Sequence, residues 1–319
     1  MLRSFFIYFS KASWARRFVM RMPVARQAAR RFYAGETLDE AMKTIGELNA
    51  HAILATLDHL GEHTTNSQEA QQAKVDICTM IDAIQRSGVR SNVSIKLSQI
   101  GMTLDPGLCQ DNLIEILSFA RDREQFVRLD MEDSPWVDTT LELYWEMCKR
   151  GLDNVGVVIQ AYLYRSQADI QKITGRGGRI RLCKGAYQEP PQIAYPKKRD
   201  TDANFDRLAE IMIDGALACG APTLSPDGKI PPLPALATHD EKRIAHGKRY
   251  AQQVGLPKEA IEFQLLYGIR RDLQDALAAE GYTVRVYVPY GTQWYPYYMR
   301  RLAERPANVW FFISNYFRR

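Results

Sequence analysis

The sequence has no run of about 18 or more apolar residues, the length a membrane-crossing helix requires, so none is expected. Its five cysteines (Cys78, Cys109, Cys148, Cys183 and Cys219) are widely spaced, odd in number and free of any Cys-x-x-Cys pattern. That excludes a disulfide framework and a zinc ribbon, and it suits a reducing compartment. His59 and His63 lie four residues apart, but no His-Glu-x-x-His pattern accompanies them and no metal is expected. A Ser-His-Asp or Cys-His nucleophile pattern and a carboxylate cluster are also missing. Difficult chemistry in such a chain needs a bound organic cofactor.

Acidic residues are missing from one stretch. Residues 1–35 hold eight Lys and Arg and no Asp or Glu, whereas 34 basic and 37 acidic residues leave the rest at −3. The net charge of +5 therefore belongs to the N-terminal arm, and no nucleic-acid surface is expected on the body. The arm interleaves Phe5, Phe6, Ile7, Tyr8, Phe9, Trp14, Phe18 and Val19 with arginines. Three readings stay open: a basic amphipathic helix on an anionic membrane surface, an acid-free transit peptide, or a helix packed on the body. Val309–Phe317 adds an aromatic tail at the other end. Residues 1–35 are thus read as an arm and 36–319 as one domain, in a chain that is cytoplasmic and peripheral at the inner face of a membrane.

What is present is a long alternation. With 46% hydrophobic residues, a chain of 319 residues buries a substantial core. Thr37 as N-cap, with Glu40 completing a capping box, opens a helix through Asn49. Strands are expected at Ala52–Leu57, Val93–Leu97, Phe126–Met131, Val155–Ala161, Arg179–Cys183, Ala235–Thr238, Ile261–Leu265 and Val284–Val288. Helices follow them at Gln68–Ser87, Gln110–Arg121, Val137–Arg150, Gln167–Ile173, Asp202–Ala218, Glu241–Val254, up to about Glu280, and beyond a Pro289/Gly291 break. Eight strand-helix units imply an α/β fold, a distorted (β/α)8 TIM-like barrel with extra N-terminal helices. A doubly wound sheet would carry a Gly-rich phosphate turn after its first strand, but that turn here is Asp58-His-Leu-Gly-Glu62. The cluster Gly175-Arg-Gly-Gly178 precedes a strand and is read as a turn.

In a barrel the chemistry sits at the C-terminal ends of the strands. Those positions are Lys96, Asp130 and Met131, Gln160, Arg181 and Lys184, Thr238 and His239, Gln264, and Tyr287. Charges inside strands are costly unless paired, so several near one end point to a charged pocket. Beyond the last strand, Arg300 and Arg301 point about 100° apart on a helix and approach one anion from two directions. A solvated helix face is the plainer alternative. With Lys96, Arg181, Lys184, Arg300 and Arg301 against Asp130 and Glu304, the mouth reads as cationic and suited to an anion. Gly185 permits close backbone approach and suits the segment 181–187 to a phosphate.

Taken together, Leu-Asp-His-Leu-Gly-Glu62, Ser-Ile-Lys-Leu97, Val-Ile-Gln-Ala-Tyr162, Arg-Leu-Cys-Lys-Gly-Ala-Tyr187, Ala-Thr-His239, Glu-Phe-Gln264 and the closing Tyr-Val-Pro-Tyr290 and Arg-Arg-Leu-Ala-Glu-Arg-Pro306 resemble the proline dehydrogenase family, especially its short monofunctional bacterial members. The resemblance runs from about Gly35 to Phe312. It implies a barrel holding FAD that oxidises L-proline to 1-pyrroline-5-carboxylate and passes electrons to a membrane quinone. By the same resemblance, Arg300 and Arg301 pair with the substrate carboxylate, Lys96 and Tyr287 line the proline pocket, and Glu304 completes it. Asp130 and Arg181 lie by the reacting centre, with Arg181 near flavin N5. Met131, Gln160, Lys184, Gly185, Ala186, Thr238 and His239 contact FAD, and Tyr187 matches a pocket tyrosine. Two other readings of the residues stand beside it: an aldolase-like barrel in which Lys96 or Lys184 forms a Schiff base, and a non-enzymic barrel serving as a membrane-bound scaffold. The oligomeric state is open.

Overall fold

A computed structural model describes residues 29–61 and 64–304, with positions 19 and 27 besides; the side chains of Ala303 and Glu304 lie outside the described residues, as do His63 and the tail Val309–Phe317. The first helix whose bounds are described, α1 (Leu38–Ala50), starts where the sequence places it. Thr37 Oγ1 accepts from Glu40 N at 3.3 Å, and Glu40 Oε2 accepts from Thr37 N at 3.1 Å, so two donors at the helix start are satisfied. Ala52 then turns the chain in a left-handed conformation, φ 58°. The expected strand Ala52–Leu57 therefore lies two residues later, as β1 (Leu54–His59), and includes Asp58 and His59.

The remaining elements are α2 (Ser67–Ser87), β2 (Ser91–Lys96), α3 (Pro106–Arg121), β3 (Val127–Asp130), α4 (Val137–Lys149), β4 (Val155–Gln160), α5 (Ser166–Thr174), β5 (Arg179–Cys183), α6 (Lys198–Ala218), β6 (Pro234–Ala237), α7 (Glu241–Val254), β7 (Glu262–Leu266), α8 (Arg271–Ala279), β8 (Thr283–Tyr290) and α9 (Trp294–Glu304). All strand pairs are parallel and the order β1 to β8 closes on itself, Leu54 to His59 pairing with Arg285 to Tyr290. The (β/α)8 barrel is thus as expected, with local differences besides that at β1, among them a start of α6 at Lys198 rather than Asp202. Helix α3 begins earlier than Gln110, because Asp105 caps it and Pro106 suits a first-turn position. Strand β8 runs through Pro289, and the break falls at Gly291, whose φ of 119° few other residues adopt.

Apolar residues from both sides of the sheet and from the surrounding helices make the main core. A second cluster gathers Ala29, Phe32 and Tyr33 against Leu60, Trp294, Tyr295, Tyr297, Met299 and Leu302. Tyr33 stacks on Trp294 with ring centroids 5.6 Å apart and planes 10° off parallel. The backbone joins in: Ala34 N donates to Pro289 O at 2.8 Å and Gly291 N to Gly35 O at 2.9 Å. Residues 29–35 thus hold the start of α9 against the barrel.

Candidate active site

Side chains on a strand alternate, so every second residue of each barrel strand faces the interior. Here that layer is polar near the C-terminal ends of β1, β2, β3, β5, β7 and β8. Asp130 is its hub. Arg181 Nη1 donates to Asp130 Oδ1 at 2.6 Å, Ser94 Oγ to the same oxygen at 2.6 Å, and the Tyr287 hydroxyl to Oδ2 at 2.8 Å. Lys96, opposite Asp130 in the β2–β3 register, places Nζ 3.9 Å from Oδ2, 3.2 Å from both oxygens of Asp58 and 3.4 Å from Tyr287 Oη. The Arg181 guanidinium also lies 5.4 Å from the centroid of the Tyr287 ring.

Burial pushes the Asp58 carboxyl up, and Lys96 pulls the other way. Burial acts on Asp130 too, but Arg181, Lys96 and the hydroxyls of Ser94 and Tyr287 hold it below the usual carboxylate range. Desolvation, followed by the charges of Asp130 and Asp58, lifts Tyr287 well above an ordinary phenol, so it stays a donor. The result is one fixed carboxylate with one phenol and two cations aligned on it.

Lys96, Asp130, Arg181 and Tyr287 are brought together; Met131, Gln160, Lys184, Gly185, Ala186, Thr238 and His239 stand at or just after the ends of β3 to β6. Gln160 Nε2 donates to Glu132 O at 2.8 Å. His239 Nε2 accepts from Leu266 N at 3.0 Å, which leaves Nδ1 as the donor of a neutral ring. Thr238 Oγ1 accepts from Asp240 N at 3.1 Å, and Met131 is buried in the main core. Gly185 has φ 115°, and a Cβ there would strike the Tyr162 ring; Ala186 follows it, exposed. Lys184 Nζ is held by Asp202 Oδ1 at 2.5 Å and Asp240 Oδ2 at 2.6 Å.

The cationic balance read from the sequence is thereby corrected. Asp58 faces Lys96, and Asp202 and Asp240 face Lys184, so each lysine already sits between two carboxylates. Sequence reasoning passed over Asp58 as a turn residue and over Asp202 and Asp240 as helix-end charges. It also passed over Ser94 and the fully buried pair Arg285 and Glu262, 2.9 Å apart. Their signal was a charge set in an aliphatic run, as in Val-Arg-Val and Ile-Glu-Phe.

Arg300 and Arg301 stand on α9, both half-buried, with Arg301 Cζ 5.0 Å from the Tyr297 ring centroid. His59 stacks on Tyr290 at 5.0 Å. Among the described residues no group of three or more His, Cys, Asp and Glu is placed to hold a metal ion, and no helix is long and apolar enough to cross a membrane.

Fold and site together define a closed α/β barrel with a buried, charge-paired cluster near the C-terminal ends of its strands. Comparison with known proteins narrows that class. A family model described as proline dehydrogenase matches residues 41–313. Proline dehydrogenase 1 of Bacillus subtilis is 40% identical over 314 residues, covering 98% of each chain. Proline dehydrogenase of Deinococcus radiodurans is 41% identical over 290 residues, covering 90% of this chain and 89% of its own. Among solved structures, proline utilization A of Bdellovibrio bacteriovorus, inactivated by N-propargylglycine, superposes with a TM-score of 0.77 at 26% identity; the match covers 87% of this chain and 32% of that longer one. The chain belongs to the proline dehydrogenase family.

Proposed function

We propose that this chain oxidises L-proline to 1-pyrroline-5-carboxylate, with FAD as resident cofactor and a membrane quinone as electron acceptor. Family membership supports the reading, and the observation that carries it is the buried Asp130 hub, built from residues of β1, β2, β3, β5 and β8 near their C-terminal ends. The residues fit a flavin nucleotide. At Gly185 the backbone passes so close to Tyr162 that no Cβ is admitted, which keeps the end of β5 free of a side chain. Beyond it, at the ends of β3, β4 and β6, stand an amide (Gln160), a hydroxyl (Thr238), an imidazole held through Nε2 by Leu266 N (His239) and apolar Met131, with Ala186 next in the chain. Lys184 contributes as a donor fixed by two aspartates rather than as an unbalanced positive charge.

FAD, when bound, supplies the acceptor for the hydride leaving proline C5. The chain's own residues do the rest. Arg300 and Arg301 take the substrate carboxylate, Lys96 and Tyr287 line the ring pocket, and Glu304 completes it. Asp130 fixes Tyr287 as a donor and Arg181 beside the reacting centre. Schiff-base chemistry is disfavoured because Lys96 and Lys184 each lie between two aspartates, the opposite of the apolar or cationic surroundings of a nucleophilic amine. Attachment to an anionic membrane surface at its cytoplasmic side, through the basic arm, belongs to the same reading. The deciding experiment is proline-dependent dye reduction by the purified protein, read beside its visible absorption. A colourless preparation that reduces no dye when supplied with FAD and proline would refute the proposal.

A further inference from the structure

Four buried side chains on β5, β7 and β8 form a line that ends on Arg181. At its far end Arg285 donates through Nε to Glu262 Oε2 at 2.9 Å, through Nη1 to Ala55 O at 2.7 Å and through Nη2 to Gly228 O at 2.9 Å. Glu262 and Gln264 are two apart on β7, so strand alternation puts both on the interior face. Gln264 Nε2 donates to Glu262 Oε1, and Gln264 Oε1 accepts from Arg181 Nε. Arg181 Nη1 is engaged by Asp130 at 2.6 Å and Ser94 at 3.2 Å, while Nη2 makes no hydrogen bond among the described residues.

The direction of this line follows from donor chemistry. An amide has one donating and one accepting end, a carboxylate only accepts and a guanidinium only donates. Glu262 therefore admits a single orientation of the Gln264 amide, with its oxygen toward Arg181. Reversed, it would set oxygen against carboxylate and NH2 against guanidinium. A carboxylate in place of Gln264 would orient Arg181 equally well, but beside Asp130 it would also cancel the guanidinium charge. The amide orients without neutralising.

We propose that Gln264 and Glu262 are positioning residues for the reaction: the ion-paired Glu262 fixes the Gln264 amide, which sets the rotation of the Arg181 guanidinium and leaves Nη2 to the reacting site. The inference rests on the functional reading above, in which Arg181 lies beside the flavin. It is tested on flavin-loaded protein by replacing Gln264 with leucine, close in volume and without hydrogen bonds. The measurements are kcat and KM for proline, the visible spectrum of the bound flavin and its reduction potential. Gln264→Leu is expected to lower kcat about tenfold or more, the scale of one hydrogen bond to a charged group, with KM changed less than about twofold. It is also expected to shift the spectrum and the potential, and both shifts should vanish in an Arg181→Lys background, since the amide acts through that guanidinium. Glu262→Gln should move kcat the same way and add nothing in the Gln264→Leu background. If that variant does not fold because Arg285 loses its carboxylate, the Gln264 and Arg181 pair decides alone. Wild-type kcat, spectrum and potential in Gln264→Leu, or shifts that persist in the Arg181→Lys background, overturn the inference. Wild-type protein that holds no flavin and oxidises no proline overturns the functional reading as well, so the two failures are told apart.

Discussion

Asp130 on β3 accepts a 2.6 Å hydrogen bond from Arg181 on β5, and its second oxygen takes the Tyr287 hydroxyl at 2.8 Å. Both oxygens are used, so an asparagine cannot replace it: one of its ends donates, and that end must face either a guanidinium or a phenol O–H. Asp130→Asn is expected to lower kcat by about a hundredfold, in line with lost placement of two site groups. Stability should fall by about 3 kcal/mol or more, because Arg181 loses a buried charge partner. Steady-state proline oxidation and denaturant titration check the two effects separately. Near-normal turnover would show that Asp130 does not organise the site.

Gly185→Ala tests the backbone cradle. The new methyl group meets the Tyr162 ring at a backbone φ of 115°, so the loop after β5 must move. The strain costs on the order of 1–3 kcal/mol. Purified Gly185→Ala protein is expected to carry substoichiometric flavin, read from the ratio of visible to ultraviolet absorbance. Full flavin content would place the cofactor away from this loop.

The barrel was legible in the sequence because its alternation is local: Val-Gly-Val-Val-Ile or Val-Arg-Val-Tyr-Val declares a strand without reference to anything distant. The pairings were not. Asp58 lies in a stretch rich in turn-forming residues, and its partner Lys96 is 38 residues away, so only closure of β1 on β2 explains how a carboxylate is buried there. Asp202 and Asp240 look like ordinary helix-start charges until α6 and α7 bring them to Lys184. Arg128 shows the same limit: its fully buried guanidinium is held by the carbonyls of Val157 at 3.2 Å and Arg179 at 2.6 Å, and backbone partners leave no trace in a sequence.

Asp240 offers a pH test. Burial acts to raise its carboxyl, but the hydrogen bond and charge of Lys184, with Lys198 beside it, bring it down to about 2 from 3.8. A folded value below the unfolded one adds stability that is present above 3.8 and is lost as pH falls through about 2. Asparagine keeps the N-cap of α7, where Asp240 Oδ1 accepts from Lys242 N at 3.1 Å, and removes only the charge. Asp240→Asn should therefore flatten the acid side of the stability profile and cost about 1–2 kcal/mol at neutral pH, since both side chains of the pair are only 24% exposed. Unfolding midpoints followed by circular dichroism from neutral to acid pH test it; an unchanged acid slope contradicts it.

Tyr33 carries a second link between stability and site. Its ring stacks on Trp294 at the start of α9, the helix bearing Arg300 and Arg301. Tyr33→Ala opens a cavity costing about 3–5 kcal/mol. Because the loss falls on α9, KM for proline should rise more than kcat falls. A lower melting temperature with unchanged KM would separate the packing of α9 from its binding role.

Arg301→Met is the sharpest test of which anion the paired arginines hold. Methionine keeps the length of the aliphatic stem, and so the packing near Tyr297, while removing the guanidinium that lies 5.0 Å from that ring. If Arg301 with Arg300 binds the proline carboxylate, the loss of a charge-assisted and typically bidentate contact costs about 3 kcal/mol or more, which raises KM over a hundredfold. Flavin content should stay at the wild-type level, because the residues assigned to the cofactor stand on β3 to β6 and the loops after them. Raised ionic strength should weaken proline binding in the wild type more than in the variant, since only the wild type retains both guanidiniums. A variant with ordinary KM and depleted flavin would move Arg301 to the cofactor's phosphates. One with both unchanged would return the pair to a solvated helix face.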